Sequence, residues 1–175
     1  MIDLAATFEE NAMDAAAMVW RCKRTPVALR DVVALATTKA RGIVLTEAEF
    51  LPVSLVDGLR GLAGVIPKPH DDELATADVG ITEAFAGVAS TGSVCIAMGR
   101  PLVTATSLLM PLNILLLAKE RIVERPRDLF DEEVLNGEGL KRNIVFITGP
   151  SATADMGPLV VGVHGPHRVL ILLLE

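Results

Sequence analysis

Phe8, Ala12, Ala15, Ala16 and Val19 recur at three- and four-residue steps, one apolar stripe that predicts an N-terminal helix. Thr25-Pro26 reads as an N-cap followed by proline at the first helical position. Ala28, Val32, Val33, Leu35 and Ala36 then supply the stripe of a second helix ending near Gly42. Residues 1–41 are therefore expected to form a helical lead-in. From Gly42 the texture changes. Ile43-Val-Leu-Thr46 is a short β-branched run bounded by turn residues, Ser54–Gly61 fits a short helix, and Gly64-Val-Ile66 fits a strand before the Pro67-Lys-Pro69 break. Val79–Ala97 alternates small and apolar residues with many Gly, Ser and Thr, as strands joined by tight loops do. Leu112–Ala118, Ile144–Thr148 and Val169–Leu174 are almost wholly apolar and lack the alternation of a half-exposed sheet. Such runs predict strands covered on both faces. The expected fold is one α/β domain over 1–175, with a largely parallel sheet flanked by helices over 42–175 and Pro126–Leu135 as a crossover helix.

Composition narrows the function. The chain has 175 residues, 51% hydrophobic and 22% charged, a balance that excludes disorder. Aromatics supply 3%, so the core must be aliphatic. A net charge of -6 and few rings on which bases can stack argue against nucleic acid. The most apolar stretch, Val94–Ala118, is interrupted by Arg100, Pro101, Pro111 and Asn113, well short of the ~20 apolar residues of a spanning helix, and no membrane partner is expected. The acidic N-terminus does not resemble a signal peptide. Cys22 and Cys95 form neither a CxxC pair nor a disulfide framework, and the expected location is the reducing cytoplasm.

In open α/β sheets ligands bind beyond the carboxyl ends of strands, which directs attention to the loops. Gly149-Pro-Ser151-Ala-Thr153-Ala-Asp155 follows an apolar run and offers Gly149 for an unusual backbone angle and the Ser151 and Thr153 hydroxyls. Asp155 is suited to capping or to accepting from a substrate hydroxyl. The same residues equally make a capping loop that binds nothing. Thr91-Gly92-Ser93 reads as a second nest of backbone donors or as an ordinary hairpin turn. Glu83 is a candidate proton-transfer group or a solvated surface carboxylate. His164, in His164-Gly-Pro-His167, is a candidate acid/base or anion contact, or a turn residue. No HExxH pattern or acidic ligand cluster surrounds the histidines, so no metal is expected. No GxGxxG, Walker A loop or CxxC set is present, so no resident redox cofactor is expected either.

Five segments resemble, in order, the LUD domain of lactate-utilisation proteins: Ala77-Asp-Val-Gly-Ile-Thr82, Ser90-Thr-Gly-Ser93, Ser107-Leu-Leu-Met-Pro111 leading into Ile114, Gly149–Asp155, and Gly162-Val-His-Gly-Pro166. The resemblance implies a fold similar to the NagB/RpiA/CoA-transferase group. It also implies an accessory, non-redox role beside iron–sulfur partners in the oxidation of L-lactate to pyruvate. Ser90, Ala152, Asn113 and Gly157 stand where the family commonly carries Glu, Arg, His and Glu, which implies a divergent member. Two other readings stay open. One is an enzyme or binding domain for a small anionic ligand such as a sugar phosphate, hydroxy acid or acyl-CoA. The other is a non-catalytic homo-oligomeric module docking through the apolar N-terminal helix.

Overall fold

Asp3 opens the first helix by accepting from the amides of Ala5 and Ala6, and α1 (Leu4–Asp14) buries Ala5, Phe8 and Ala12. Ala16 then turns the chain with a φ of 64°, and Met18–Cys22 continues as strand β1 rather than as helix. Val19 does pack inward, so the stripe identified its burial and misassigned its element. This corrects the helical lead-in: residues 1–41 hold a strand of the main sheet. Of the apolar stripe, Phe8 and Ala12 on α1 are buried inside the molecule. Thr25 caps α2 (Pro26–Ala36) by accepting from Ala28, and the Thr37 hydroxyl bonds back to the Val33 carbonyl where the helix stops, before Gly42. The computed structural model describes residues 3–131, 143–153, 158, 160–162 and 164–175.

The main sheet has six strands in the order β1, β12 (Arg168–Leu174), β7 (Leu112–Ala118), β4 (Val79–Glu83), β2 (Ile43–Leu45) and β3 (Val65–Ile66). Every pairing in it is parallel. All residues of β4 and β7 are buried, and all of β12 after Arg168, as expected for strands covered on both faces. Ile81, Ile114, Leu116, Leu170 and Leu172 face α2 and α3 (Val53–Asp57). Leu115, Leu117, Ile171 and Leu173 face α1 and a second sheet.

That second sheet runs β8 (Ile122–Val123), β5 (Ala86–Val88), β6 (Ser93–Ala97), β9 (Ile144–Ile147). It corrects one expectation: β9 pairs antiparallel with β6 at the sheet edge and is only partly buried, with Phe146 41% exposed. Two helices had no expectation at all, α4 (Asp71–Thr76) and α5 (Pro101–Leu108). His70 immediately precedes α4, and its amide donates to Glu73 Oε2. Instead of a crossover helix, Pro126–Phe130 forms a short 3-10 turn, and residues 132–135 lie outside the described residues. Helix α5 rests on β4 at Gly80, where an added Cβ would collide with the Thr106 carbonyl oxygen. Asn113 fastens the same helix by donating from Nδ2 to the Ser107 carbonyl at 3.1 Å. Among the described residues no helix is long and apolar enough to cross a membrane.

Candidate functional site

Strand order locates the first place to look. From β2 the chain steps outward to β3, then returns past β2 to β4 and continues through β7 to β12. Direction therefore reverses between β2 and β4, and the crevice beyond their carboxyl ends is the preferred ligand position in such sheets. Glu83 is the last residue of β4 and only 6% exposed. Its Oε2 accepts from the Glu49 amide at 2.7 Å and the Phe50 amide at 2.8 Å, while Oε1 is buried without a hydrogen-bond partner. Burial pushes the carboxyl above its ordinary value, against the pull of the Phe50, Glu49 and Leu51 amides. A buried carboxyl at a strand end with one oxygen left open is a candidate for proton transfer.

The segment it holds, residues 46–51, carries further charge. Arg100 meets Glu49 at 3.0 Å and Glu47 at 3.6 Å. Arg121 lies 5.3 Å from the centre of the Phe50 ring and donates to the Phe85 carbonyl at 3.2 Å, and the two phenyl rings meet edge to face. Sequence reading named Glu83 and missed Glu49, Phe50, Arg100 and Arg121. The Arg100-Pro101 step, a charged residue before a helix-opening proline, was the available signal.

The remaining candidates collect at the opposite rim. Thr91 and Ser93 hydroxyls meet at 2.7 Å, and Ser93 meets the Thr148 hydroxyl at 2.7 Å. The Ser151 amide donates to the Pro166 carbonyl, and Gly162 donates to the Ser151 carbonyl. The loops around Gly92, Gly149 and His164 therefore do gather. They gather over the carboxyl end of α1: Gly92 (φ 64°) presses on Asn11 and Ala12, and Gly149 (φ 76°) presses on the Ala15 carbonyl. At Gly92 and Gly149 the partial negative charge of that helix end disfavours an anion. Thr91 and Gly92 lie in the turn between antiparallel β5 and β6, and Ser93 opens β6. Thr153 sits on β10 (Ala152–Thr153), which pairs with β11 (Val160–Val161). Asp155 lies outside the described residues.

His164 and His167 line a cavity of about 440 Å³ with Leu108, Leu109, Pro111, Gly162 and Gly165. It lies before β12, level with the start of β7. Glu83 is level with Leu116, four residues further along, so roughly 13 Å of strand separates it from the histidines. The structure does not join Glu83 and His164 in one site. Cys22 and Cys95 are buried free thiols, and burial pushes the Cys95 thiol up to about 12. Among the described residues no three His, Cys, Asp or Glu side chains are grouped to hold a metal ion.

Comparison with known proteins follows the same lines. Lactate utilization protein C of Halalkalibacterium halodurans is 38% identical over 103 residues, 57% of this chain and 45% of that protein. The Bacillus subtilis protein of the same name is 35% identical over 103 residues, 57% of this chain and 43% of its own length. The Bacillus velezensis one is 33% identical over 131 residues, 73% and 52%. The chain spans about half the length of the curated relatives it matches. The crystal structure of a DUF162 family protein from Deinococcus radiodurans superposes with a TM-score of 0.68 at 20% identity, covering 98% of this chain and 96% of that one, which shows a shared fold. The family model described as the LUD domain matches residues 6–174, and the chain belongs to the LUD domain family.

Proposed function

We propose that this protein is an accessory component of small hydroxy-acid utilisation, lactate foremost, working beside iron–sulfur partners. The relatives named lactate utilization protein C supply the substrate class. Oxidation of lactate to pyruvate releases two electrons, and in this reading the partners' clusters accept them. This chain's part is to bind and orient the acid and to hold a proton at Glu83. The observation that carries the reading is the buried Glu83 carboxyl, raised above its ordinary value, at the switch point of a LUD-family sheet. Deleting the gene in its host should abolish growth on L-lactate and leave growth on pyruvate intact. Tagged chain purified from lactate-grown cells should bring down an iron–sulfur protein. Normal growth of the deletion strain on L-lactate would refute the role.

A second reading, a binding domain for a sugar phosphate or acyl-CoA, is supported by the cavity beside His164 and His167. A melting-temperature screen with such anions at pH 6 and pH 8 tests it, since a ligand of the native state raises the transition by mass action. An unmoved transition across the panel removes it.

A further inference from the structure

The two oxygens of Glu83 differ. Oε2 is occupied by the amides of the loop after β2, and Oε1 is buried and unpartnered. A buried polar atom with no partner is costly and rare, and this one is open to a donor from a ligand. The loop covering it is held from three sides. Glu83 takes its amides, Arg100 takes the carboxylates of Glu47 and Glu49, and Arg121 stacks on Phe50. Glu49 links two of these holds, because its amide binds Glu83 while its carboxylate binds Arg100. Arg100 and Glu83 therefore hold the same residue, the cation at its carboxylate and the buried carboxyl at its amide.

We propose that residues 46–51 cover a binding site for a small α-hydroxy carboxylate, with Arg100 as the carboxylate contact and Glu83 Oε1 as the hydroxyl contact. This deepens the hydroxy-acid reading and rests on it for the substrate class. A guanidinium is matched in shape and charge to a carboxylate, and in this structure Glu49, with Glu47 farther out, fills that role. The arriving ligand displaces the glutamates from Arg100, and its hydroxyl donates to Oε1. Glu47 and Glu49 thus compete with the ligand from within the chain. An acid without the hydroxyl, such as propionate, gains Arg100 but leaves Oε1 unmet.

Titration calorimetry of the full chain with L-lactate and with propionate tests this. Wild-type protein should bind L-lactate about tenfold tighter than propionate, the difference of one well-placed hydrogen bond. Arg100→Gln should weaken both acids about tenfold or more, and Glu47→Gln with Glu49→Gln should tighten both about threefold by removing the internal competitor. The double glutamine variant keeps the backbone amides that Glu83 holds, so it tests the site even if Arg100→Gln fails to fold. Absence of L-lactate binding by wild type, unchanged binding in Arg100→Gln, or unchanged or weaker binding in the double variant would overturn the site. Growth separates the two proposals. A deletion strain that fails on L-lactate, with a chain that does not bind it, overturns this site and leaves the accessory role standing. Normal growth with tight binding does the reverse.

Discussion

Strand β4 has a carboxylate at each end, and both perform the same task on the same neighbour. Asp78, just before the strand, accepts from the amides of Arg41 and Gly42 on the way into β2. Glu83, at its end, accepts from Glu49 and Phe50 on the way out. The donors are alike and the outcomes opposite. The Arg41 amide, against modest burial and with help from Gly42 and the Arg41 guanidinium, holds Asp78 below its ordinary value. At Glu83 burial outweighs three amides, the Glu49 charge adds to it, and the carboxyl is raised. The Asp78 side chain keeps 31% of its surface open to water, whereas Glu83 keeps 6%. Solvent, not the count of hydrogen bonds, decides whether a carboxylate that staples a loop is lowered or raised.

The most severe way to break the comparison is to lift the strand that both ends share. Gly80 is the second residue of β4, and a side chain there meets the Thr106 carbonyl and Met110. Backbone cannot give way as a flexible side chain can. Gly80→Val should cost about 3 kcal/mol or more, the upper range of overpacking, and move both carboxylates off their loops. Urea unfolding checks the magnitude. A change below about 1 kcal/mol would mean that α5 does not bear on β4 as tightly as the contact implies.

Glu83 comes next. Glu83→Ala removes the acceptor for two amides and leaves space beneath residues 46–51, at a cost of about 2 kcal/mol. Glu83→Gln keeps an acceptor for those amides and loses the buried charge, so it should stay within about 0.5 kcal/mol of wild type at neutral pH. The two variants also differ in pH behaviour. A carboxyl raised in the folded state contributes stability that is fully present below its ordinary value of 4.5 and is lost as pH climbs through its folded value. Glutamine has no such loss. The stability of Glu83→Gln relative to wild type should therefore improve as pH rises above the ordinary value of 4.5. A flat difference over that range would mean that Glu83 is not raised.

Why one end of this comparison was legible in the sequence, and its setting was not, follows from what each contact is made of. Strands β4, β7 and β12 announced themselves because burial on both faces demands unbroken apolar runs. Strand β1 lies at the sheet edge, where Met18, Trp20 and Arg21 stay partly open, so its pattern was absorbed into a helical stripe. Helix α5 buries Val103, Thr106 and Ser107, two of them polar, and offered no apolar stripe to read. Glu83 was visible as a carboxylate ending a strand, but its partners are backbone amides more than thirty residues away, which leave no side-chain signature. Gly92 and Gly149 were readable as bends because positive φ favours glycine. That both bends lie over the end of α1 is a long-range packing outcome, invisible in either loop alone.

The open end of β4 gives the comparison its sharpest control. Asp78→Asn retains shape and can retain one acceptor toward Arg41 and Gly42, but the charge that strengthens those bonds is gone. At neutral pH the loss should be about 1 kcal/mol, since a charged acceptor outperforms a neutral one and water softens the difference. Its pH sign is the reverse of Glu83. A carboxyl lowered in the folded state contributes stability that is present above its ordinary value of 3.8 and is lost as pH falls through its folded value. Wild type and Asp78→Asn should accordingly converge in acid, while wild type and Glu83→Gln separate as pH rises. Melting curves of the two variants across one pH series therefore distinguish a solvent-exposed staple from a buried, proton-holding one. If both differences moved in the same direction with pH, solvent exposure would not be what sets the two ends of β4 apart.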